Sequence, residues 1–317
     1  MTKKLFMLFV AFVCAATMAA QNIAVVSPSG VTTLYNTFPG AVEGAEDGSV
    51  VYLPGGVFTG CNINKKLTII GVGYKSKTDN NYEQTHITGD LKFLPGSTGS
   101  ALMGCFVSGT VRIGNDATGV NNVMIKHNNI NNIQIYCSLS GCIINQNIVR
   151  QSIFGVSSGY ANKALGVTVT NNISGTIYSI IDGLVSNNIA TSSINNCART
   201  TISGNIVFNP ISYVSDCDIF NNMTTEDFGD DIDVGDEDFD WSNVFVNYNS
   251  NNLSNSDFHL KGEYKQYENQ VGIYAGTGFN DKQLAPVPYI VAKQVDEQTD
   301  AQGKLNIRVR VKAGDTE

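Results

Sequence analysis

The hexapeptide VTNNIS, Val169–Ser174, returns sixteen residues later as VSNNIA, Val185–Ala190. Both copies place an apolar residue, a small polar residue, two asparagines and an isoleucine in the same order. Alignment on the second asparagine gives six copies, spaced by 18, 25, 16, 17 and 17 residues, at Asn129, Asn147, Asn172, Asn188, Asn205 and Asn222. Such a period, with short β-branched runs, is typical of a solenoid of short strands and not of a helical repeat.

Stacking of the coils would bring the repeated asparagines into one column. Coils of a β-solenoid lie about 4.8 Å apart, so the same position in successive coils is superposed. A buried asparagine can then donate to one neighbouring coil and accept from the other, as in cross-β stacks. The repeat therefore predicts an asparagine ladder, with the isoleucine after each asparagine filling the solenoid core. The longest interval predicts a projecting loop at Ser157–Ala164.

The N-terminal region predicts a short helix, a turn at Asp47-Gly48 and two strands. Its motifs LPGGVF, Leu53–Phe58, and LTIIGVG, Leu67–Gly73, resemble the start of right-handed parallel β-helix proteins of the pectin-lyase-like superfamily. The resemblance extends from about Ile23 to Ala285. It implies an all-β fold, a right-handed parallel β-helix (solenoid) whose first coil is covered by an N-terminal cap helix. A fold of this kind says little about function by itself.

The first 20 residues have the pattern of an export signal. Lys3 and Lys4 precede an apolar run, Leu5–Val13, and small residues follow at the expected cleavage zone. The run is too short for a membrane-spanning helix, which needs about 20 apolar residues, and no later segment approaches that length. We therefore expect residues 1–20 to be a signal peptide. The mature chain would be exported, to the periplasm, the cell surface or the exterior, without a transmembrane anchor.

The remaining chain divides into a solenoid and a short C-terminal region. We expect the parallel β-helix to occupy residues 21–285, with final coils at Val244–Gly262 and Val271–Phe279. After Gly303, apolar and polar residues alternate as in a one-sided strand. Residues 286–317 are expected to form a C-terminal β-hairpin cap, because an open solenoid end presents unpaired strand edges. The alternative is that these residues begin a partner domain.

The chain is acidic, with a formal net charge of −8. Such a charge disfavours nucleic acid and anionic membranes as partners. Charged side chains are sparse between Ala101 and Thr225. We therefore expect Ser, Thr and Asn to cover the faces of the solenoid.

Asp182, Arg199 and Asp216 each stand six residues before a ladder asparagine, in three consecutive coils. They are expected to form a vertical column of alternating charge. One interpretation is a salt-bridge ladder that holds three coils in register. The other adds Asp218 and makes these four residues the catalytic site of a polysaccharide lyase or hydrolase, since such enzymes combine a base with carboxylates.

The stretch EDFGDDIDVGDEDFD, Glu226–Asp240, carries nine carboxylates in fifteen residues. Calcium takes about six to eight oxygen ligands, so this density could hold the ion. The alternative is a solvated acidic loop. Calcium is the one cofactor that the sequence suggests, and its expected ligands are Asp230, Asp231, Asp233, Asp236 and Asp238.

Four aromatic residues follow ladder asparagines by six to eight residues: Tyr136, Phe154, Tyr178 and Tyr213. Pointing outward, they would form a ligand-binding face on which sugar rings stack, with Ser, Thr and Asn beside them as hydrogen-bonding groups. The alternative is that Phe154 and some tyrosines turn inward and belong to the core.

Six cysteines follow the signal region. An even number in an exported chain suggests disulfides. Cys142 and Cys217, however, share a repeat position four coils apart, beyond the reach of a disulfide. Cys137 and Cys142, across a turn, are the one pair that the spacing allows. No cysteine and histidine spacing typical of structural zinc occurs.

Two classes of function fit these patterns. The favoured one is an exported, non-catalytic β-helix protein that binds polysaccharide or a cell-surface partner. The other is a polysaccharide lyase or glycoside hydrolase that acts on an acidic glycan. Sparse charge in the solenoid favours binding, because an enzyme that cleaves an acidic glycan usually needs several basic residues in its groove.

Overall fold

The computed structural model describes residues 22–75, 84–137, 141–156, 164–225, 231–234, 239–279, 289–295, 304 and 307–312. The expected signal peptide, residues 1–20, and most of the expected loop at Ser157–Ala164 lie outside the described residues. The described part is mostly β structure with one seven-residue helix and three 3-10 turns.

The architecture is a parallel β-solenoid of about eight turns, as the repeat predicted. Each turn contributes to two long sheets whose strands are stacked along the solenoid axis. At one edge of the first sheet, Ile23–Val26 pairs antiparallel with the strands on both sides of it, and from Ser49–Leu53 onward all pairs are parallel. Its spatial order is Thr32–Tyr35, Ile23–Val26, Ser49–Leu53, Leu67–Gly71, Ala101–Met103, Met124–Lys126, Ile143–Asn145, Thr168–Thr170, Leu184–Ser186, Thr201–Ser203 and Asp218–Phe220.

The second sheet is parallel throughout and follows the first sheet in each turn. Its main order is Ile232–Asp233, Met223–Thr224, Ile206–Val207, Ile189–Ala190, Ile173–Tyr178, Ile148–Gly155, Asn129–Ile135, Phe106–Ile113, Thr85–Thr88 and Gly56–Thr59. Four short strands extend it sideways: Asn62–Ile63, Leu91–Phe93, Ile194–Asn195 and Ile211–Ser212. A short pairing of Ala164–Leu165 with Ile180–Ile181 lies at the next corner of the coil.

The one α-helix in the described residues, Phe38–Gly44, lies between the second and third strands of the chain. Thr37 caps it by accepting a hydrogen bond from the backbone N–H of Gly40 at 3.2 Å, and proline in the first turn suits a helix start. Its buried side chains, Phe38, Ala41 and Val42, join the solenoid core. A helix is therefore present where the sequence predicted one.

Strand residues alternate between the interior and the surface, because successive side chains point to opposite faces. In the first sheet the middle residue of the three-residue strands is buried, as in Val169, Val185 and Ile202, except in the last strand, where Ile219 is partly buried. With the inward residues of the second sheet, these side chains form one apolar cluster along the solenoid.

An asparagine ladder runs along the turn between the two sheets, as predicted. Each asparagine donates from Nδ2 to Oδ1 of the next one at 2.9–3.1 Å. The backbone N–H of each donates to the same oxygen at 2.9–3.0 Å. Nδ2 also faces two backbone carbonyls, for Asn188 those of Val169 at 2.8 Å and Ser186 at 3.0 Å. The fully buried members are Asn128, Asn147, Asn172, Asn188, Asn205 and Asn222.

The first rung is Asn128, and the prediction of Asn129 was wrong. Strand pairing brings Asn128 beside Asn147, whose Oδ1 accepts from both its N–H and its Nδ2. Asn129 instead begins the second sheet and donates from Nδ2 to Ser254 Oγ at 2.7 Å. The sequence contains a pattern that favours Asn128. In the other copies an apolar residue stands three positions before the ladder asparagine, and Ile125 has that spacing from Asn128, whereas Lys126 has it from Asn129.

The residue before each ladder asparagine turns the chain with a positive φ of 52–67°. These residues are His127, Gln146, Asn171, Asn187, Gly204 and Asn221. Asparagine and glycine tolerate this left-handed conformation best. In the Asn-Asn pair, therefore, the first asparagine makes the turn and the second enters the ladder. His127 is buried at this turn.

The isoleucines after most ladder asparagines point away from the core, so that part of the prediction was wrong. Ile148, Ile173, Ile189 and Ile206 belong to a second apolar cluster, whereas the next residue along each strand faces the solenoid interior. Adjacent strand residues must face opposite sides of the sheet. The backbone N–H of Gly272 donates to Gly204 O at 2.7 Å, and a Cβ on Gly272 would lie 2.7 Å from Ile206 Cδ1. The outward isoleucines are thus buried under a later segment of the chain.

That segment, residues 239–279, forms no parallel coils, contrary to the expectation for Val244–Gly262 and Val271–Phe279. Phe245–Asn247 pairs antiparallel with Asp257–Leu260. The Trp241 ring stacks on the Phe208 ring with 4.4 Å between centroids, and its Nε1 donates to Phe208 O at 3.2 Å. The segment therefore covers the outer face of the second sheet. Its three 3-10 turns are Trp241–Asn243, Leu253–Asn255 and Gly262–Tyr267.

A C-terminal hairpin is present, because Tyr289–Val295 pairs antiparallel with Ile307–Lys312. Its role as a cap on the solenoid stays a prediction, as do the boundaries at residues 285 and 286.

The first prediction concerns the ladder. Asn188→Ala removes the buried Oδ1 that accepts from the backbone N–H and the Nδ2 of Asn172, and it removes the Nδ2 that donates to Asn205 and to two backbone carbonyls. Each unsatisfied buried group costs about 1–3 kcal/mol, so we expect the free energy of unfolding in urea to fall by about 3 kcal/mol or more. The control Asn62→Ala, at an exposed position, should change it by less than about 0.5 kcal/mol. Equal effects of the two substitutions would contradict a stabilising ladder.

The second prediction concerns the covered isoleucines. Ile206→Ala should lower the free energy of unfolding by about 2–4 kcal/mol, because Ile206 is only 1% exposed beneath residues 239–279. The control Val57→Ala lies on the same sheet, where Val57 is 70% exposed, and should be nearly neutral. Urea unfolding of both variants measures this, and a neutral Ile206→Ala would show that the segment does not cover the isoleucines.

Candidate functional site

A continuous line of side chains runs along the outer face of the second sheet. Strand register places one residue from each of eight successive coils in this line, which we call the outer row. Each member is half-buried or exposed, while its strand neighbours are buried in the core. The members are Asn62, Lys92, Arg112, Gln134, Phe154, Tyr178, Asn195 and Ser212.

Phe154 and Tyr178 form the centre of the outer row. Their rings are stacked, with centroids 5.0 Å apart and planes 8° apart. Each ring thus covers one face of the other. Desolvation by burial raises the pKa of Tyr178. The pair is an apolar step, about two coils long, between the polar neighbours Gln134 and Asn195.

The structure brings only these two of the four expected aromatic residues together. Tyr136 is buried, and its hydroxyl accepts a hydrogen bond from Gln134 Nε2 at 3.0 Å. Tyr213 is 85% exposed and occupies a turn with a φ of 52°. The expected four-residue platform is therefore a two-ring stack, and Tyr136 and Tyr213 lie outside the line.

Two cations occupy one end of the outer row. Lys92 and Arg112 are Cα partners on adjacent strands, and each is flanked in its own strand by two buried core residues that face the opposite side of the sheet. Arg112 Nε is buried and has no hydrogen-bond partner among the described residues. Neither residue belongs to a site that the sequence pattern predicted. Their signal is the pattern of a polar residue between two buried apolar ones, as in Leu91-Lys92-Phe93 and Val111-Arg112-Ile113.

The predicted charge column is present at another corner of the coil. Arg199 binds both oxygens of Asp182, with Nε to Oδ1 at 2.6 Å and Nη2 to Oδ2 at 2.8 Å. Asp216 follows in the next coil, since Arg199 N donates to Ser215 O at 2.9 Å. Asp218 lies apart from this turn, on an exposed position of the first sheet. The structure therefore pairs Arg199 with Asp182. Asp216 lies in the neighbouring coil, and Asp218 lies on a different face of the solenoid.

This ion pair favours the salt-bridge interpretation of the column. The Arg199 guanidinium lowers the pKa of Asp182, and the Asp182 carboxylate raises the pKa of Arg199. A residue that must lose a proton to act as a base is disfavoured by such a partner. Both side chains are about half exposed, so the pair stabilises the fold only weakly.

Two of the five expected calcium ligands are described, and they do not converge. Asp231 Oδ1 accepts from the backbone N–H of Asn222 at 2.7 Å and so continues the asparagine ladder by one rung. Asp233 is exposed on the last parallel strand. The described part of the chain contains no group of three or more side chains suited to a metal ion. Asp230, Asp236 and Asp238 lie outside the described residues, so the calcium site stays a prediction.

The six cysteines are free thiols in this structure. Cys137 and Cys142, the pair that the spacing allowed, are both buried, and their Sγ atoms donate to Asn121 Oδ1 at 3.2 Å and to Val120 O at 3.5 Å. Burial raises the pKa of Cys61 to about 11 and that of Cys197 to about 12. Thiols held protonated in this way are poor nucleophiles.

Comparison with protein-family models, with curated proteins and with solved structures returned no match for this chain. A search of the described residues for helices long and apolar enough to cross a membrane found none. A function for the candidate site must therefore be inferred from the positions and chemistry of its side chains.

The third prediction tests the column by titration. Because Arg199 holds the pKa of Asp182 below its usual range, Arg199→Gln should return that pKa to the usual range. The contribution of the pair to stability is present above the unfolded-state pKa and is lost as the pH falls through the lower folded-state pKa. Carboxyl chemical shifts recorded by NMR against pH measure this change. The control Arg112→Gln should leave the Asp182 curve in place, and an unchanged curve in Arg199→Gln would refute the pairing in solution.

Proposed function

We propose that the protein is an exported, non-catalytic solenoid that binds polysaccharide along the outer row. Export is supported by the pattern of Lys3, Lys4 and the apolar run Leu5–Val13. A place among the right-handed β-helix proteins of the pectin-lyase-like superfamily is part of the proposal. It is supported by the two N-terminal motifs and by the stacked parallel coils.

The observation that carries the proposal is the unbroken alignment of the outer row. Seven steps of about 4.8 Å make the line about 34 Å long, which suits an extended polymer better than a small molecule. Amide groups of Gln134 and Asn195 can bond sugar hydroxyls on either side of the apolar step made by Phe154 and Tyr178. Aromatic side chains beside a few hydrogen-bonding groups are a common composition of ligand sites.

The charge at one end of the row indicates the kind of glycan. Lys92 and Arg112 would attract carboxylate or sulfate groups, and the buried Nε–H of Arg112 has no acceptor in the part of the chain that the structure describes. Unsatisfied buried donors are costly, so a ligand acceptor would be favourable there. An acidic polysaccharide is therefore favoured over a neutral one.

The composition of the row argues against catalysis along it. Its eight members include no carboxylate and no histidine, so it lacks the acid and base that glycoside cleavage requires. The alternative lyase or hydrolase site at Asp182, Arg199, Asp216 and Asp218 has less support, because Arg199 is held as a cation by Asp182.

The fourth prediction removes the apolar step. The double variant Phe154→Ala, Tyr178→Ala should weaken binding to the preferred polysaccharide at least about tenfold, which corresponds to about 1.4 kcal/mol. Retardation in gels cast with acidic and neutral polysaccharides measures this affinity. The matched control Tyr213→Ala removes an exposed aromatic residue outside the row and should bind like the unmodified protein.

Further arms of the same experiment separate the alternatives. Arg112→Gln should weaken binding to acidic polysaccharides and leave binding to neutral ones unchanged. If the two aromatic substitutions have no more effect than Tyr213→Ala, the outer row is not the binding surface. An unsaturated product absorbing in the ultraviolet, lost in Arg199→Gln, would replace the binding proposal by the lyase alternative.

A further inference from the structure

A cleft of about 500 Å³ lies at the opposite end of the second-sheet strands from the outer row. One wall is the outer face of the sheet at Phe106, Asn129 and Arg150. The other wall is Ser250–Asn255, which we call the asparagine loop, from the segment that covers the isoleucines. Lys75 also lines the cleft. Two cationic side chains therefore face one space in a chain whose net charge is negative.

Arg150 is the central group of this cleft. Its guanidinium carbon lies 4.5 Å from the centroid of the Phe106 ring, within the range of a cation–π contact. Nη1 donates to Asn129 Oδ1 at 2.9 Å and Nη2 to Val107 O at 3.0 Å. These two bonds use two of the five guanidinium N–H groups. The other three face no acceptor among the described residues.

No carboxylate within the described ranges forms an ion pair with Arg150, although the side chain is half-buried. Desolvation by burial lowers the pKa of Arg150. A partly buried cation without an opposite charge is unfavourable, so an anion that enters the cleft would gain both a charge partner and several N–H donors. Arginine is suited to this task, because its planar fork matches the two oxygens of an oxyanion.

The surroundings of Arg150 are held in place before any ligand arrives. Asn129, which accepts from Arg150, is itself bonded to Ser254 Oγ of the asparagine loop at 2.7 Å. Within the loop, Asn252 Oδ1 accepts from the backbone N–H of Ser254 at 3.1 Å, and Asn249, the residue before the loop, accepts at Oδ1 from the backbone N–H of Asn252 at 3.1 Å. A preorganised site of this kind loses little entropy on binding.

We propose that this cleft binds a small, hydroxyl-rich molecule that carries an oxyanion, with Arg150 and Lys75 on the oxyanion and the amides of the asparagine loop on the hydroxyls. The cleft holds about 500 Å³ and two cations, which suits a small ligand with one anionic group. Carboxylate, sulfate and phosphate share the required chemistry. The site is separate from the outer row and does not depend on the proposed function.

Calorimetric titration of the full-length protein with glucuronate, inorganic sulfate, inorganic phosphate and glucose tests the proposal. We expect at least one of the three anions to bind with a dissociation constant of about 1 mM or below, and glucose to bind at least about tenfold more weakly. Arg150→Gln should weaken anion binding at least about tenfold, and Arg150→Lys should weaken it less. The control Arg199→Gln removes an arginine outside the cleft and should bind the anion like the unmodified protein.

Two further variants keep the outcome decisive. Lys75→Gln changes an exposed side chain without risk to the fold and should weaken anion binding about threefold, which tests the cleft even if Arg150→Gln does not fold. The outer-row double variant Phe154→Ala, Tyr178→Ala should bind the anion unchanged. The proposal is overturned if none of the three anions binds, if glucose binds as tightly as they do, or if neither Lys75→Gln nor Arg150→Gln alters binding.

Discussion

Hydrogen bonding by buried amides is the constraint on which the rest of this structure depends. The Oδ1 of each ladder asparagine accepts from the preceding coil, and its Nδ2 donates to the next asparagine as well as to backbone carbonyls, so its full set of bonds needs both neighbouring coils. A slip of one residue in any coil would leave buried donors and acceptors unpaired, at a cost of about 1–3 kcal/mol each. The ladder therefore sets the register of the coils. It also explains the Asn-Asn pair, because the residue before the ladder must adopt a positive φ.

In-register stacking turns single surface residues into columns. The same geometry that superposes the asparagines stacks Phe154 on Tyr178 and places Arg199 against Asp182. The chemistry of each column follows from what successive coils supply at one position. Where the coils supply an aromatic pair between amides and cations, the column suits a polymer. Where they supply opposite charges, it forms an ion pair that stabilises neighbouring coils.

The segment 239–279 solves a problem that the repeat creates. Apolar residues on both faces of the second sheet leave a stripe of isoleucines on the outside, and exposed apolar stripes of this length promote aggregation. The segment buries the stripe, and Trp241, stacked on Phe208, helps to hold it there. It also forms the far wall of the cleft at Arg150, which would otherwise be an open surface. One covering segment thus contributes to stability and to a candidate binding site.

The sequence by itself determined the period, the solenoid and the ladder, because a buried amide and an apolar neighbour must recur once per coil. It also predicted the column at Asp182 and Arg199, since equal spacing from the ladder means superposition. Tertiary structure alone decided which side of the sheet Ile189 and Ile206 face, because residues buried inside the core and residues buried under a covering segment have the same apolar character. It also decided the partners of Arg150 and the outer row. Those contacts join coils to each other or to residues 239–279, and no local pattern records which distant segment packs against a given face.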